Sequence, residues 1–270
     1  MMGMKTVQEY IDYWNKYVNE WNKDPITFFK SEKNYWGKFE SLLRNADALP
    51  EPYYGNPWQY SAIILNLNPY GGVNYQLQKH LSGSIFNDFT PNTTYFSFVE
   101  SFPYLSKFKE TNIGKWWQTR AKWITRLSSS SKNPFAIQIC PWQSKFSDGG
   151  VLKDFSVHHI DENVIKPSEI ILKKADLKLI LSVGKEFESL FFELGFELLE
   201  QLSTDPIFKN RNYPLGKNGS PIKRFYNIWA SPSDTLYLNT FTVGTNECPS
   251  PDFYQVELDI LRMLKHSGKI

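Results

Sequence analysis

The chain has 270 residues, of which 41% are hydrophobic and 16% aromatic, and its 30 basic and 28 acidic residues leave a formal net charge of +2. This length and apolar content are sufficient for one large hydrophobic core, and no low-complexity linker or internal repeat divides the sequence. Two cysteines, Cys140 and Cys248, cannot build a disulfide framework, a four-cysteine zinc site or an iron–sulfur cluster, which favours a reducing cytoplasm.

The first predicted elements are two helices, which we interpret as an N-terminal helical extension over residues 1–50. Apolar residues recur at helical spacing from Val7 to Trp21. Pro25 ends this helix, and a second helix is predicted over residues 27–45. No apolar run reaches the about 20 residues that a membrane span needs, and no signal-peptide core follows the first residues. We therefore expect a soluble, cytoplasmic protein that makes no membrane contact.

A short strand that runs into a polar turn is the most informative part of the sequence. Residues 61–65 form a continuous apolar run, which is typical of a strand covered on both faces in a parallel sheet. Asn68-Pro69, followed by Gly71-Gly72, ends the run abruptly. Because open α/β sheets bind ligands beyond the carboxyl ends of their strands, we expect the functional site at this turn.

Strands and helices alternate through the main domain, residues 51–270, in the order typical of an α/β fold with right-handed crossovers. We expect the first three strands to be parallel and the first one to be central in the sheet. The predicted helices cover residues 113–128, 160–175 and 186–202, and the predicted strands cover residues 61–66, 135–140, 178–183, and 225–230 or 236–242.

Basic residues are concentrated in two segments of the chain. Residues 107–132 contain seven basic residues and one acidic residue, and residues 206–233 contain five basic residues and no acidic residue. On the predicted helix, Lys115, Lys122 and Arg126 form a stripe opposite the apolar stripe. Such a face suits contact with phosphates, and an ordinary solvated helix face is the alternative interpretation.

Two further groups of polar residues leave alternatives open. Arg120 falls within the apolar arc of the same helix, where its guanidinium needs a carboxylate, carbonyl or phosphate partner because an unpaired buried charge is costly. His158-His159, with Asp161 and Glu162 following, resembles a metal site in composition. Adjacent residues point in different directions, however, and no third ligand stands at i+4, so we do not expect a metal there.

The turn at residues 66–70 is similar to the first motif of the uracil-DNA glycosylase superfamily. Asn66-Leu67-Asn68-Pro69-Tyr70 resembles the Gly-x-Asp/Asn-Pro-Tyr/Gly turn in which the Asp or Asn positions the attacking water, and Asn68 takes that place. The resemblance covers about residues 55–265. Three further segments follow in the family's order, namely residues 135–142, residues 177–187, and Cys248-Pro-Ser-Pro251, for which Ala230-Ser-Pro-Ser-Asp234 is a rival.

The sequence also departs from the uracil-specific enzymes of this family. Gly71 stands where those enzymes carry His, Leu67 stands where they carry Gln, and neither candidate for the last loop contains His. An Asn at the water-positioning place, as at Asn68, is typical of the mismatch-type and single-strand-selective branches. The resemblance therefore implies a modified or mismatched base as readily as uracil.

The resemblance implies a three-layer α/β/α domain with a central, mostly parallel four-stranded sheet that acts as a monofunctional DNA glycosylase on a flipped base. Asn68 would be catalytic. The base would be bound by Leu67, Pro69, Tyr70, Gln138, Trp142 and Phe96, for which Phe86 is a rival. DNA phosphates would be bound by Ser231 or Ser250 together with Lys122 and Arg126.

The expected partner of such an enzyme is duplex or single-stranded DNA, with no cofactor and no metal, and a monomer is favoured. Two other classes of protein fit the same residues. One is a catalytically silent nucleic-acid-binding member of the same fold, such as a protein that acts in defence against foreign DNA. The other is a nucleotide or nucleoside hydrolase that acts on small molecules.

Overall fold

The structure, a computed structural model, describes residues 4–36, 49–67, 94–142, 156–203, 224–242, 248–249 and 254–270. These residues form a mixed α/β fold. The helices are α1 (Val7–Lys23), α2 (Pro25–Trp36), α3 (Tyr95–Val99), α4 (Asn112–Ser128), α5 (Val157–Ile160), α6 (Lys166–Leu172), α7 (Glu186–Glu193) and α8 (Tyr254–His266). The strands are β1 (Tyr53–Tyr54), β2 (Ile63–Asn66), β3 (Phe135–Gln138), β4 (Ile180–Val183), β5 (Glu197–Ser203), β6 (Arg224–Ala230) and β7 (Leu236–Thr242). No helix in the described ranges is long and apolar enough to cross a membrane.

The strands of the described residues form one seven-stranded sheet in the order β1-β3-β2-β4-β7-β6-β5. Four adjacent strands, β3, β2, β4 and β7, are parallel. The remaining three are joined to this parallel part by antiparallel pairing. The predicted parallel arrangement of the first three strands is confirmed, and β2 lies between β3 and β4 as expected.

The sheet is wider than the predicted four strands. β1 pairs with β3 on one side, and the β6–β7 hairpin followed by β5 extends the other side. The two segments that the sequence offered as alternatives, residues 225–230 and 236–242, are therefore both strands of the same sheet. Sequence reasoning treated them as rivals because only one more parallel strand was expected.

One face of the sheet, which we call the α4 face, is covered by α4 and α8. Trp117 of α4 packs on Tyr54 of β1 with 5.8 Å between ring centroids. Tyr226 of β6 donates a hydrogen bond to Oε1 of Glu257 in α8 over 3.2 Å. These contacts fix the two helices on the side chains of the same sheet face, since alternate residues of a strand share a face.

The opposite face, which we call the α7 face, is covered by α1, α6 and α7. Tyr237 donates to Oε1 of Glu169 in α6 over 3.2 Å. Tyr10 of α1 packs against Tyr53 and Phe135 with ring centroids 5.5 and 6.4 Å away. The N-terminal helix therefore contributes to the same hydrophobic core as the strands, and its aromatic side is buried directly on the sheet.

The first helix forms as the sequence predicts. Thr6 and Glu9 make a reciprocal capping box at its N-terminus, which satisfies two backbone N–H groups that a helix start leaves unpaired. The predicted second helix is present as α2, and its predicted end at residue 45 lies outside the described residues. The buried side of α1 consists of Val7, Tyr10, Ile11, Trp14, Tyr17, Val18 and Trp21.

The prediction of a helix over residues 186–202 is wrong in its second half. α7 ends at Glu193, Gly195 adopts a left-handed φ of +75°, and residues 197–203 form β5 beside β6. Residues such as Glu197 and Leu198 favour a helix locally, but pairing with β6 satisfies their backbone groups at the sheet edge. Tertiary pairing therefore prevails over local propensity.

The predicted crossover helix is present with different bounds and an internal irregularity. It begins at Val157, passes through a π-helical segment at Asp161–Ile165, and ends at Leu172, so that α5 and α6 form one path with a widened turn between them. Lys166 bonds the carboxylates of Asp161 and Glu162 at this turn. Such widened turns are uncommon in helices.

Candidate functional site

The carboxyl ends of the four parallel strands meet at one edge of the sheet. Asn66 ends β2 and Gln138 ends β3, and these two residues are register partners in the parallel pair. Val183 of β4 faces Thr240 of β7 in the same way. β6 is antiparallel, so its first residue, Arg224, lies at this edge as well, opposite the end of β7.

Asn66 and Gln138 place two carboxamides side by side at this edge. Register partners in neighbouring strands share a face, and alternation along β2 and β3 puts both side chains on the α4 face. Asn66 is 6% exposed and Gln138 is 3% exposed. The Asn66 Nδ2 donor and the Gln138 Oε1 acceptor have no hydrogen-bond partner among the described residues.

An unpaired buried amide group costs about 1–3 kcal/mol. Within the described residues, the Asn66–Gln138 pair therefore leaves one buried donor and one buried acceptor for a further partner. A ligand that offered one acceptor and one donor could relieve both groups together. Sequence reasoning identified Gln138 as a base-binding residue and overlooked Asn66, although its position two residues before Asn68 put it on the same face of the strand end.

Leu67 continues the backbone pairing beyond the two strands. Its carbonyl accepts a hydrogen bond from the Cys140 N–H over 2.9 Å, and its side chain is buried. The chain therefore leaves the sheet edge at a fixed position just before the predicted catalytic turn. Asn68, Pro69 and Tyr70, together with Gly71 and Phe86, lie outside the described residues.

Trp142 lies four residues beyond β3 and is 1% exposed. Its ring packs toward Tyr17 of α1 at 6.2 Å between centroids, on the α7 face. Its carbonyl lies 3.8 Å from Sγ of Cys140. Trp142 is thus close to the strand ends in the chain but is part of the packing beneath α1.

The structure does not bring Phe96 together with Leu67 and Gln138. Phe96 is half-buried in α3, where its ring packs edge-on against Trp58 with 5.3 Å between centroids, and its N–H donates to Oδ1 of Asn15 over 2.9 Å. Trp58 precedes β2, whereas Leu67 follows it. Phe96 is therefore held near the amino end of β2, away from the strand ends that carry the amide pair.

Of the two candidate phosphate loops, the structure describes the first, which contains Ser231. Ser231 follows β6 in the tight turn to β7, and its hydroxyl accepts from the N–H groups of Ser233 and Thr235. That turn is at the amino end of β7. In the second candidate loop the structure describes residues 248–249, of which Cys248 is buried, and Ser250 lies outside the described residues.

The predicted phosphate-binding residues of α4 differ in exposure. Lys122 is exposed and Arg126 is half-buried. Two other cations of the same segment are occupied, since Lys132 bonds Asp176 over 2.8 Å and the Arg120 guanidinium stacks 3.2 Å from the ring centroid of Trp116. The structure therefore gives Arg120 a cation–π contact with Trp116, a kind of partner that was not expected from the sequence.

A second buried polar cluster lies at the same edge on the α4 face. Arg224, 2% exposed, donates to Oγ1 of Thr240 over 3.0 Å, and Tyr226 donates to Glu257, which is 1% exposed. Burial raises the pKa of Glu257 to about 8, opposed by the Trp123 side chain, the charge of Arg224, the Tyr226 hydroxyl and the charge of Arg126. Sequence reasoning counted Arg224 as a surface charge and missed Glu257.

A second buried carboxyl group, Glu51, lies beside the end of β3. Its N–H donates to the carbonyl of Pro141 over 2.7 Å, and its Oε1 accepts from the Tyr104 hydroxyl over 3.0 Å. Burial, followed by the charge of Glu51, holds the pKa of Tyr104 well above its usual range. Tyr54 is affected in the same way, so this side of the edge is built of neutral phenols around one acid.

The histidine pair belongs to the α5–α6 path and shows no metal geometry. Asn163 Nδ2 lies 3.2 Å from His159 Nδ1 and also donates to the His159 carbonyl. Burial, with a smaller contribution from His158, lowers the pKa of His159 to about 4, so the ring is neutral at physiological pH. No group of three or more His, Cys, Asp or Glu within the described ranges could hold a metal ion.

Both cysteines are buried free thiols. Burial raises the pKa of Cys140 far above its ordinary value, so the thiol stays protonated.

The chain matches no protein-family model, no curated protein and no solved structure. The features of this chain that bear on its function are therefore the geometry of the strand ends and the motif at residues 66–70.

Proposed function

We propose that the protein is a monofunctional DNA glycosylase of the uracil-DNA glycosylase type, which hydrolyses the N-glycosidic bond of a flipped uracil, mismatched or modified base. The observation that carries the proposal is the amide pair of Asn66 and Gln138, buried at the carboxyl end of an interior parallel strand. Asn68-Pro69-Tyr70, the core of the family-like motif, follows that strand closely in the sequence.

The strand order supports the proposal. The family resemblance requires the motif strand to be central with parallel neighbours, and β2 has β3 on one side and β4 on the other, both parallel. Helices on both faces give the three layers that this fold class needs. Ligands of open parallel sheets bind beyond the carboxyl ends of such strands, where the crossovers leave to opposite faces.

In the proposed reaction, cleavage of the N-glycosidic bond builds positive charge on the sugar and negative charge on the departing base. Asn68 would orient the attacking water through its side-chain carbonyl, and Pro69 would fix the turn. Gln138 would accept a hydrogen bond from the base edge, and Asn66 would donate one, which replaces two unpaired buried groups by two hydrogen bonds. Backbone N–H groups near the turn would stabilise the leaving base.

The remaining residues of the sequence prediction divide into two groups. Five residues stay in the proposal. The base pocket would be lined by Leu67 and Tyr70, and DNA phosphates would be bound by Ser250, Lys122 and Arg126. Phe96, Trp142 and Ser231 are better explained by packing or turn formation, since each makes its contacts away from the amide pair.

The test is single-turnover release of base from duplex and single-stranded oligonucleotides that carry uracil, mismatched bases or modified bases. Asn68→Ala should lower the rate at least about a hundredfold, because water positioning acts in the transition state, and should leave DNA affinity unchanged. Asn19→Ala, an exposed Asn of α1, is the matched control and should release base at the wild-type rate.

A second variant separates the amide pair from folding. Gln138→Leu should reduce base release while leaving the free energy of unfolding unchanged or higher, since it removes a buried acceptor without a partner among the described residues. Release that is insensitive to both Asn68→Ala and Gln138→Leu would refute the assigned site. If the wild type binds DNA but releases no base, the catalytically silent nucleic-acid-binding protein is the better interpretation.

A further inference from the structure

The solvent side of α4 combines cations and an exposed indole. We call the side chains of Lys109, Lys115, Trp116 and Lys122 the basic aromatic surface. All three lysines are exposed, and Lys109 is tied to α4 because its carbonyl accepts a hydrogen bond from Gln118 Nε2 over 2.5 Å. Lys115, Trp116 and Lys122 thus belong to one helix, and the backbone of Lys109 is bonded to it.

Trp116 is held in a fixed orientation although 41% of it is exposed. The guanidinium carbon of Arg120 lies 3.2 Å from its ring centroid, and Trp117 packs against it at 4.9 Å with an interplanar angle of 89°. Arg120 is only 4% exposed, so it covers one face of the indole from the protein side. The exposed part of Trp116 therefore lies on those parts of the ring that Arg120 and Trp117 leave uncovered.

The lysines of the basic aromatic surface are available to an external anion. Lys109, Lys115 and Lys122 make no ion pair with any residue in the described part of the chain. Lys115 and Lys122 are seven residues apart on one helix face, which puts their backbones about 10 Å apart at 1.5 Å per residue. Trp116 lies between them along the helix axis, about 100° round the helix from Lys115, at the border of the face that carries the lysines.

We infer that the basic aromatic surface binds single-stranded nucleic acid, with Lys115 and Lys122 on phosphates and Trp116 stacked on an unpaired base. An exposed, immobile indole gives little to a duplex, whose base faces are already stacked, but every unpaired base offers a π-face. An acidic peptide would satisfy the lysines and leave the indole without a matching partner. The choice of DNA as the nucleic acid rests on the proposed function, which it deepens by naming the strand state.

The probe is a 15-nucleotide oligothymidine with a fluorescent label, whose binding is followed by anisotropy. Trp116→Ala should weaken binding about 5- to 150-fold, the usual worth of one base–aromatic stack. An abasic oligonucleotide of the same length and charge should bind the wild type more weakly, and its affinity should not change in Trp116→Ala. Oligouridine of the same length compares RNA with DNA.

Charge is tested separately through the salt dependence of binding. Each phosphate contact to a single strand contributes a slope of about −0.7 in log K against log salt concentration. The double variant Lys115→Gln/Lys122→Gln should therefore reduce the magnitude of the slope by about 1.4. The control is Lys16→Gln/Lys23→Gln, which removes two exposed lysines with the same seven-residue spacing from α1 and should leave the slope unchanged.

Two further controls separate binding from folding. Phe192→Ala removes an aromatic side chain that is 76% exposed on α7 and should not affect affinity. Trp116→Phe keeps a ring above Arg120 and should lose less affinity than Trp116→Ala. Thermal unfolding of each variant shows whether loss of the indole destabilises α4, and the lysine variants remain informative in that case because they alter only exposed side chains.

The inference is overturned if Trp116→Ala and Trp116→Phe bind oligothymidine as the wild type does, or if duplex and single strand of equal length bind equally and independently of Trp116. Equal binding of the abasic oligonucleotide would likewise exclude base stacking. Binding of an acidic peptide that competes fully with oligothymidine and ignores Trp116 would assign the surface to a protein partner. Asn68→Ala should bind like the wild type, so the glycosylase proposal and this one fail independently.

Discussion

Glu257 predicts an unusual dependence of stability on pH. Its carboxyl group is 1% exposed and accepts a hydrogen bond from Tyr226 over 3.2 Å. Burial raises its pKa from 4.5 to about 8, against the opposing effects of Trp123, Arg224, Tyr226 and Arg126. The folded protein therefore keeps Glu257 protonated at pH values where the unfolded chain has already ionised it.

The sign follows from proton counting. Between pH 4.5 and 8 the unfolded state binds one proton fewer than the folded state at this site, so the free energy of unfolding falls by about 1.4 kcal/mol per pH unit. His159 acts in the opposite direction, because burial lowers its pKa from 6.5 to about 4 and folding becomes more favourable as pH rises across that interval. The two slopes cancel up to pH 6.5, and above it Glu257 is unopposed.

The wild type should thus lose about 2 kcal/mol between pH 6.5 and pH 8. Glu257→Gln cannot ionise and should lose nothing from this site over the same interval. The assay is urea unfolding at a series of pH values with the free energy extrapolated to water. Glu193→Gln, at an exposed helical carboxylate, is the matched control and should keep the wild-type slope. Equal slopes for the wild type and Glu257→Gln would refute the reasoning.

Two further predictions concern backbone and turn geometry. Gly55→Ala should destabilise the fold by about 1–3 kcal/mol in urea unfolding, because residue 55 has φ of +96° and a Cβ there would lie 2.7 Å from the Pro134 carbonyl oxygen. Gly195→Ala should lose less stability, about 1 kcal/mol, because residue 195 has φ of +75° but open space around it. Equal losses of stability in the two variants would contradict the steric explanation. Ser231→Ala should cost about 1 kcal/mol of stability through its lost turn contacts and leave oligonucleotide affinity unchanged, whereas a large loss of affinity would return Ser231 to the phosphate site.

The parts of the fold that the sequence predicts are those with a strong local pattern. The continuous apolar runs that become β2, β3 and β4 are buried on both faces, and such runs are readable without knowledge of their neighbours. The amphipathic pattern of α1 and α4 is local in the same sense. In contrast, residues 197–203 have a helix-favouring composition, and only β6, more than twenty residues later, makes them a strand.

The residues of the candidate site likewise differ in whether a local sequence pattern predicts them. Gln138 is predictable from its place at a strand end, and the turn predicted after β2 lies outside the described residues. The cluster of Arg224, Tyr226 and Glu257 is not predictable, because Tyr226 and Glu257 are 31 residues apart and meet only when α8 packs on the sheet. A buried Arg and a buried Glu look like surface charges in a sequence, so their burial was not predictable from composition.

The packing of α1 also constrains the order in which the chain can fold during synthesis. Tyr10 and Tyr17 are made early, yet their ring partners Phe135 and Trp142 follow more than a hundred residues later. At about 5–20 residues per second, the ribosome adds the intervening residues in about 6–25 s. Throughout that interval the aromatic side of α1 lacks β3 and Trp142, so the burial of this helix on the sheet is completed late in synthesis.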